Sequence, residues 1–346
     1  MERKVKIGFV GAGFMSQMAH LPSFLETEGC EVVAISELRP NLRERVGEKY
    51  KIPKRYPSHR ELAEDEEVEA VVALLPYLLN SEIATYLLEK GKDVMVEKPM
   101  AFTYQLASKM VEASRKSGRF LMVGYMKRYD PGVQLAHKII QDFLSTGELG
   151  EPTFVRVHIF GGEWVCNIGT PILTDEPYPS LPERRADFLP SKLLNMYDEF
   201  INVASHNINL LRFLLRGKWN VEDAFLKGNQ LLAVLSKDNI ICSLEYGRLP
   251  AHRWDEDLTI YFQKGWIRVE TPPPLLKNVP ARVLVYKTGS EPQIWEPIAP
   301  WGWAFKKQAE HFVSCVRDRK TPLSSGEDSL EDMLIAEEIF KKIAGH

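Results

Sequence analysis

The chain has 346 residues, 45% of them hydrophobic and 26% charged, with a formal net charge of −3 at pH 7. That length suits two domains with a core each, and the charge gives no reason to expect nucleic acid or an anionic membrane as a partner. No apolar run approaches the ~18 residues of a membrane span, the one after Met1-Glu2-Arg3-Lys4 is too short for a signal-peptide core, and Cys30, Cys166, Cys242 and Cys315 lack paired metal or redox spacing, so a reduced cytoplasmic setting, small-molecule partners and no metal are expected.

The first apolar strand, Val5–Val10, runs into the corner Gly11-Ala12-Gly13-Phe14-Met15-Ser16, after which the chain re-enters as a helix. Gly11 permits a tight turn, Gly13 lets backbone approach a pyrophosphate, and Ser16 is small enough for helix to sit on strand. The helix N-terminus then offers N–H groups to phosphates. A second strand, Val32–Ser36, ends at Glu37, 21 residues beyond Ser16. That is where an acid binds the adenosine ribose hydroxyls of NAD. The plain alternative is an ordinary strand–turn–helix with a solvated Glu. A carboxylate repels a 2′-phosphate, so Glu37 favours NAD, while Arg39 close behind it keeps NADP open.

Helices are expected near Pro40–Tyr50 and Ser58–Glu64, then a strand over Val68–Leu75 that stops at Pro76. Helix Asn80–Lys90 ends at Gly91, strand Asp93–Val96 is stopped by Glu97-Lys98-Pro99, helix Thr103–Ser117 ends at Gly118, and Phe120–Val123 is the next strand. Apolar strands separated by helices imply a parallel sheet covered on both faces, with ligands at the carboxyl ends of its strands. The cofactor set expected on that rim is Gly11, Gly13, Phe14, Met15, Glu37, Arg39, Leu75, Pro76, Asn80, Glu97 and Lys98. Lys98 could donate to a substrate hydroxyl or carbonyl and serve in acid–base chemistry; a surface ion pair at a strand end is the competing reading.

After Gly124 the pattern changes. A linking helix (Gln134–Leu144) leads to a strand over Pro152–Phe160, a long loop over Gly161–Pro190 and an apolar helix over Asp198–Leu215. Hairpins follow: Leu231–Ser236 with Ile240–Tyr246, and Leu258–Gln263 with Trp266–Glu270 through Lys264-Gly265. The tail returns to helix at Phe305–Arg317 and Glu327–Ile343. On the long helix, Asp198, Asn202, His206 and Asn209 share one face, a polar stripe that has to be paired or line a cavity. In the loop, Trp164 and Tyr178 with the acids Glu163, Asp175 and Glu176 could meet a polyhydroxylated ring, or could pin the loop to the core.

Taken together, Gly11–Ser16 followed by His20-Leu21-Pro22, then Glu97-Lys98-Pro99, then Ser205-His206 running into Asn209-Leu210-Leu211-Arg212, resemble the glucose–fructose oxidoreductase / inositol dehydrogenase / MocA family over nearly the whole chain. The resemblance implies an α/β Rossmann domain (1–124), an α+β domain with a large, mostly antiparallel open sheet (125–318), and a C-terminal helix (319–346) returning to the first. It also implies an NAD or NADP cofactor, a sugar, cyclitol or sugar-derivative substrate, and a homodimer or homotetramer formed through the open sheet. Lys98 and His206 take the catalytic positions with Asn202 beside them, and Lys98, Tyr125, Trp164, Asn202 and His206 form the substrate set. Asn202 stands where the family commonly has an aspartate, Asn209 where it often has an acid, Met196-Tyr197-Asp198-Glu199 where small glycines are usual, and Met126 where Asn is frequent. Asn202 can bond a hydroxyl but cannot stabilise an imidazolium. Hydride transfer between nicotinamide and a hydroxyl carbon is the implied reaction; the alternatives are a redox-neutral NAD-dependent glycoside hydrolase or lyase and a non-catalytic dinucleotide-binding protein.

Overall fold

The apolar runs of the first third pair as one parallel sheet in the computed structural model, which describes residues 3–248, 250 and 253–345; Met1 and Glu2 of the N-terminal segment lie outside the described residues. Its strands are β1 (Val5–Val10), β2 (Cys30–Ser36), β3 (Lys54–Tyr56), β4 (Ala70–Ala73), β5 (Asp93–Val96) and β6 (Leu121–Val123), in the order β3-β2-β1-β4-β5-β6. Every residue of β4, β5 and β6 is buried, as expected where Val, Ala, Leu and Met are covered on both faces. The ladder runs past the ends of β4, through Glu69 N–H to Lys6 O and Leu74 N–H to Val10 O, so most of the expected Val68–Leu75 run is in register. Local chemistry stops the covering helices where it should. Thr103 Oγ1 accepts from Leu106 N–H at the start of helix Tyr104–Ser117, and Gly118 ends it in the left-handed region at φ +65°.

The chain divides into two compact units: residues up to Tyr125 with Ile168–Ala186 and Phe305–Met333, and Met126–Asn167 with Asp187–Ala304 and the residues from Leu334 on. The division is less contiguous than the expected 1–124, 125–318 and 319–346. Part of the long loop and nearly all of helix Ala304–Asp318 belong to the first unit. Aromatic packing accounts for the helix: Phe312 stands edge-on to both Phe24 and Phe120, and Phe305 to His20.

The second unit holds β7 (Pro152–Gly161), β8 (Asn220–Lys227), β9 (Gln230–Lys237), β10 (Ile240–Tyr246), β11 (Asp255–Phe262), β12 (Gly265–Glu270), β13 (Arg282–Lys287) and β14 (Gln293–Trp295). The order is β14-β13-β12-β11-β7-β10-β9-β8, antiparallel throughout except for the β7–β10 pair. The β11–β12 turn sits at Gln263-Lys264 rather than at Lys264-Gly265. Gly265 is a ladder residue opposite Lys287, and a Cβ on it would lie 2.1 Å from the Tyr286 carbonyl oxygen.

The long helix spans Leu194–Leu214, four residues earlier than expected at its start. Buried polar groups tie it to the short turn Met126–Tyr129 and to β11. Arg128 Nε donates to Asn209 Oδ1 at 2.6 Å, and its guanidinium lies 5.4 Å from the Phe213 ring centre. Glu256 pairs with Lys127 and also accepts from Asn207 Nδ2 at 2.8 Å and Trp254 Nε1 at 3.0 Å. Lys127 and Glu256 are each only 4% exposed, so neither charge has water to fall back on. Glu256→Ala is therefore expected to cost about 3–5 kcal/mol by stranding a buried ammonium. Lys127→Met with Glu256→Leu should recover most of that loss. Denaturant titrations followed by circular dichroism check both.

Candidate active site

At the carboxyl end of β1 the chain passes so close to β4 that a side chain cannot be accommodated. Gly11 sits at φ +98°, and a Cβ on it would lie 2.3 Å from the Leu74 carbonyl oxygen. Gly13 is different: a Cβ there would meet nothing within 4 Å, so its absence leaves an open cradle in front of the helix that follows. Residues 14–25 wind as one helical stretch whose middle turn, Ser16–His20, is of π type. That turn carries three buried polar side chains, Ser16, Gln17 and His20, and the last two make the contacts that matter here.

An open cleft of about 590 Å³ lies over this corner. Of the expected cofactor set, Gly11, Gly13, Glu37, Arg39, Leu75 and Pro76 line it; Phe14, Met15, Asn80, Glu97 and Lys98 do not. Leu79 and Ile83 add to its apolar wall, and His59 also lines it. Burial and the nearby Arg60 charge lower the pKa of His59. Glu37 is 7% exposed and each carboxylate oxygen takes two donors. Oε2 accepts from Ala12 N–H at 3.0 Å and Arg39 Nη2 at 3.1 Å; Oε1 accepts from Arg39 N–H at 3.1 Å and Arg39 Nε at 2.9 Å. Burial alone would raise the carboxyl's pKa, but the Arg39 guanidinium and the two amides outweigh it and hold it below the usual carboxylate range.

The opposite wall comes from an unexpected place. Tyr178, Pro179 and Leu181, from the loop set aside above for substrate contacts, line this cleft. The Arg39 guanidinium lies 5.0 Å from the Tyr178 ring centre. Two of the three acids offered for sugar hydroxyls are already engaged with backbone. Glu176 accepts from Asn41 and Leu42 N–H at 2.9 and 3.0 Å, capping helix Pro40–Lys49, and Glu163 accepts from Val165 and Cys166 N–H. Gln17 bridges the same loop, donating to Ile172 O at 3.1 Å and accepting from Ile172 N–H at 2.7 Å. Only long-range pairings reveal this docking, so no local sequence signal could have.

Further along the same rim, Lys98 follows β5 and is half-buried, and its bond to Pro99 is cis. Its backbone N–H donates to Glu97 Oε2 at 3.0 Å, while Glu97 Oε1 shares a 2.6 Å hydrogen bond with His20 Nε2. Asn80 is wholly buried, and its Nδ2 lies 3.1 Å from Glu97 O and 3.3 Å from both Pro99 O and Met100 O. The expected cofactor contact at Asn80 is thus placed as a brace for the Lys98 loop. Tyr125 is also buried, at 1% exposure.

In the second unit the polar stripe divides. Asn202 is exposed and His206 half-buried, whereas Asn209 is buried on Arg128. Asp198 is half-buried, and burial, helped by the Glu199 charge, raises its pKa. Trp164 is 42% exposed, and its carbonyl accepts from Leu275 N–H at 3.2 Å. Among the described residues, no helix is long and apolar enough to cross a membrane, and no group of three or more His, Cys, Asp or Glu could hold a metal ion.

A family model described as an oxidoreductase family with an NAD-binding Rossmann fold matches residues 5–125. The inositol 2-dehydrogenase of Salmonella typhimurium is 31% identical over 170 residues, 48% of this chain and 48% of that protein. The matched stretch thus spans about half the length of the curated relatives at the head of the comparison. The scyllo-inositol 2-dehydrogenase (NAD(+)) of Bacillus subtilis is 21% identical over 342 residues, 95% of this chain and 91% of that protein. A 3-ketoreductase from Actinomadura kijaniata, solved with TDP-benzene and NADP, superposes with a TM-score of 0.74 at 19% identity over 97% of each chain, which establishes a shared fold. Residues 5–125 thus match the Rossmann domain of the Gfo/Idh/MocA oxidoreductase family, and the whole chain shares its fold with the 3-ketoreductase.

Proposed function

We propose that this protein is an NAD-dependent dehydrogenase or reductase that acts on a hydroxyl carbon of a sugar, cyclitol or sugar derivative. The observation that carries the reading is the single rim on which the Gly11–Gly13 corner, Glu37 and Lys98 each follow a strand of one parallel sheet. The open cradle at Gly13 fits a diphosphate, and the Glu37 carboxylate fits the adenosine ribose end. Bound there, a nicotinamide dinucleotide supplies a two-electron hydride acceptor or donor. Lys98 holds the reacting oxygen through Nζ, and the proton of that oxygen passes to Lys98 or to His206. Asn202 bonds a neighbouring hydroxyl. Glu97, His20 and Asn80 fix the backbone that carries Lys98. The substrate class is supported by the inositol dehydrogenases among the relatives.

The second unit supports self-association through its open sheet. Phe154, Phe225, Leu232 and Ile241 are exposed on its strands beside the Arg156–Glu245 ion pair, so one patch offers apolar area and both signs of charge. Ile241→Lys should convert a dimer or tetramer to monomers, read by light scattering after gel filtration.

Two further outcomes test the chemistry. Gly13→Val should melt like the wild type, since its side chain enters open space, yet weaken dinucleotide binding by at least about tenfold by filling the cradle. With NAD and a panel of sugars, cyclitols and sugar derivatives, the reduced-nicotinamide absorbance should grow for one class. On that substrate, Lys98→Ala and His206→Ala should each lower kcat by about 10²–10⁴-fold. Turnover within a few-fold of wild type in both variants would remove them from the reaction.

A further inference from the structure

We propose that Tyr178 is a cofactor-specificity residue: it pins Arg39 onto Glu37 and so reserves the 2′ position of the adenosine ribose for a hydroxyl rather than a phosphate. The inference rests on the dinucleotide reading above and assigns a role within that cleft to a residue far from the glycine corner in sequence.

Arg39 is the cation that could favour a 2′-phosphate, and it is engaged on two sides. Its Nε and Nη2 donate to the two Glu37 oxygens, and the Tyr178 ring lies on it at 5.0 Å. A cation held against an aromatic face and a carboxylate is costly to redirect. A ribose hydroxyl can exchange with one arm of Arg39 and leave the remaining bonds to Glu37 standing. A 2′-phosphate would have to draw the whole guanidinium away and would still lie beside an ionised, nearly buried carboxylate.

Tyr178 can do this because its segment is fastened to the Rossmann unit upstream of the ring. Gln17 bonds both backbone groups of Ile172, Arg45 Nη1 donates to Leu173 O at 2.8 Å, and Glu176 takes the Asn41 and Leu42 amides two residues before the ring. Thr174 Oγ1 donates to Glu176 Oε2 at 2.9 Å and fixes that cap. Tyr178 itself is 59% exposed on the cleft wall, so removing its ring opens no core cavity.

Calorimetric titration of the full-length protein with NAD and with NADP, in the wild type and in Tyr178→Ala, Tyr178→Phe and Glu176→Ala, tests the proposal. The wild type should bind NAD more tightly. Tyr178→Ala should narrow the NAD-to-NADP affinity ratio by about threefold or more, the size of an exposed cation–ring contact. Glu176→Ala, which removes the tie nearest the ring, should shift the ratio in the same direction, and Tyr178→Phe, which keeps the ring, should retain the wild-type ratio. An unchanged ratio in Tyr178→Ala, or a wild-type preference for NADP, overturns the assignment while leaving dinucleotide binding intact. A wild type that binds neither dinucleotide overturns the cofactor reading and this proposal together.

Discussion

The close pass of Gly11 beneath the Leu74 carbonyl is the constraint on which the Rossmann unit is built. β1 and β4 are neighbours in the sheet, and the strand order reverses between them. The chain leaves β1 toward β2 and leaves β4 toward β5, so a crevice opens where the two connections part. It can open only if the end of β1 runs tight against the end of β4, and a Cβ at position 11 forbids that approach. Once the corner is made, the other groups arrive by strand register alone. Glu37 follows β2, Leu75 and Pro76 follow β4, and Lys98 follows β5, so residues scattered over some 90 positions share one rim.

Behind that rim lies a set of polar side chains joined to one another and to the turn by hydrogen bonds. Glu97, His20 and Asn80 are removed from water to differing degrees, and each loses solvation that only protein partners can replace. The partners are one another and the carbonyls of the Glu97–Met100 turn. A network of this kind resists small displacements, because moving one member leaves several buried groups unsatisfied. The backbone of Lys98 is thereby held by groups that have no need to meet a ligand themselves. Asn80 illustrates the division of labour: its place after β4 suggests cofactor contact, and its burial makes it a brace.

How much could be read from the sequence depended on whether the controlling interaction was local. Strands such as Val32–Ser36 and Asp93–Val96 declare themselves by continuous apolar residues, and the glycine corner by its spacing. β3, three polar or aromatic residues, and β14, three exposed ones, have no such pattern, because their pairing depends on a neighbour already in place. Gly265 resembles a turn glycine, yet it is required by a backbone 21 residues away. The Tyr178 segment was hardest to read. Its placement rests on Gln17 and Arg45, more than a hundred residues upstream, and on a Glu whose type gave no hint that it would cap a distant helix.

The polar stripe of the long helix shows why spacing cannot settle chemistry. Asn202 and Asn209 lie on one face by the same helical arithmetic, and both stand where relatives are expected to carry an acid. Their surroundings separate them. Asn209 is buried and gives its amide oxygen to Arg128, an arginine that a carboxylate would serve equally well, so amide for acid at that position is a change in how the helix is tied down. Asn202 is exposed, with His206 one turn further on and half-buried. An amide there offers a donor and an acceptor but no negative charge, so a protonated His206 loses the stabilisation that a carboxylate would give. Of these two departures, only the one at Asn202 bears on the proposed role of His206 as a proton acceptor, which an amide neighbour supports less well than a carboxylate would.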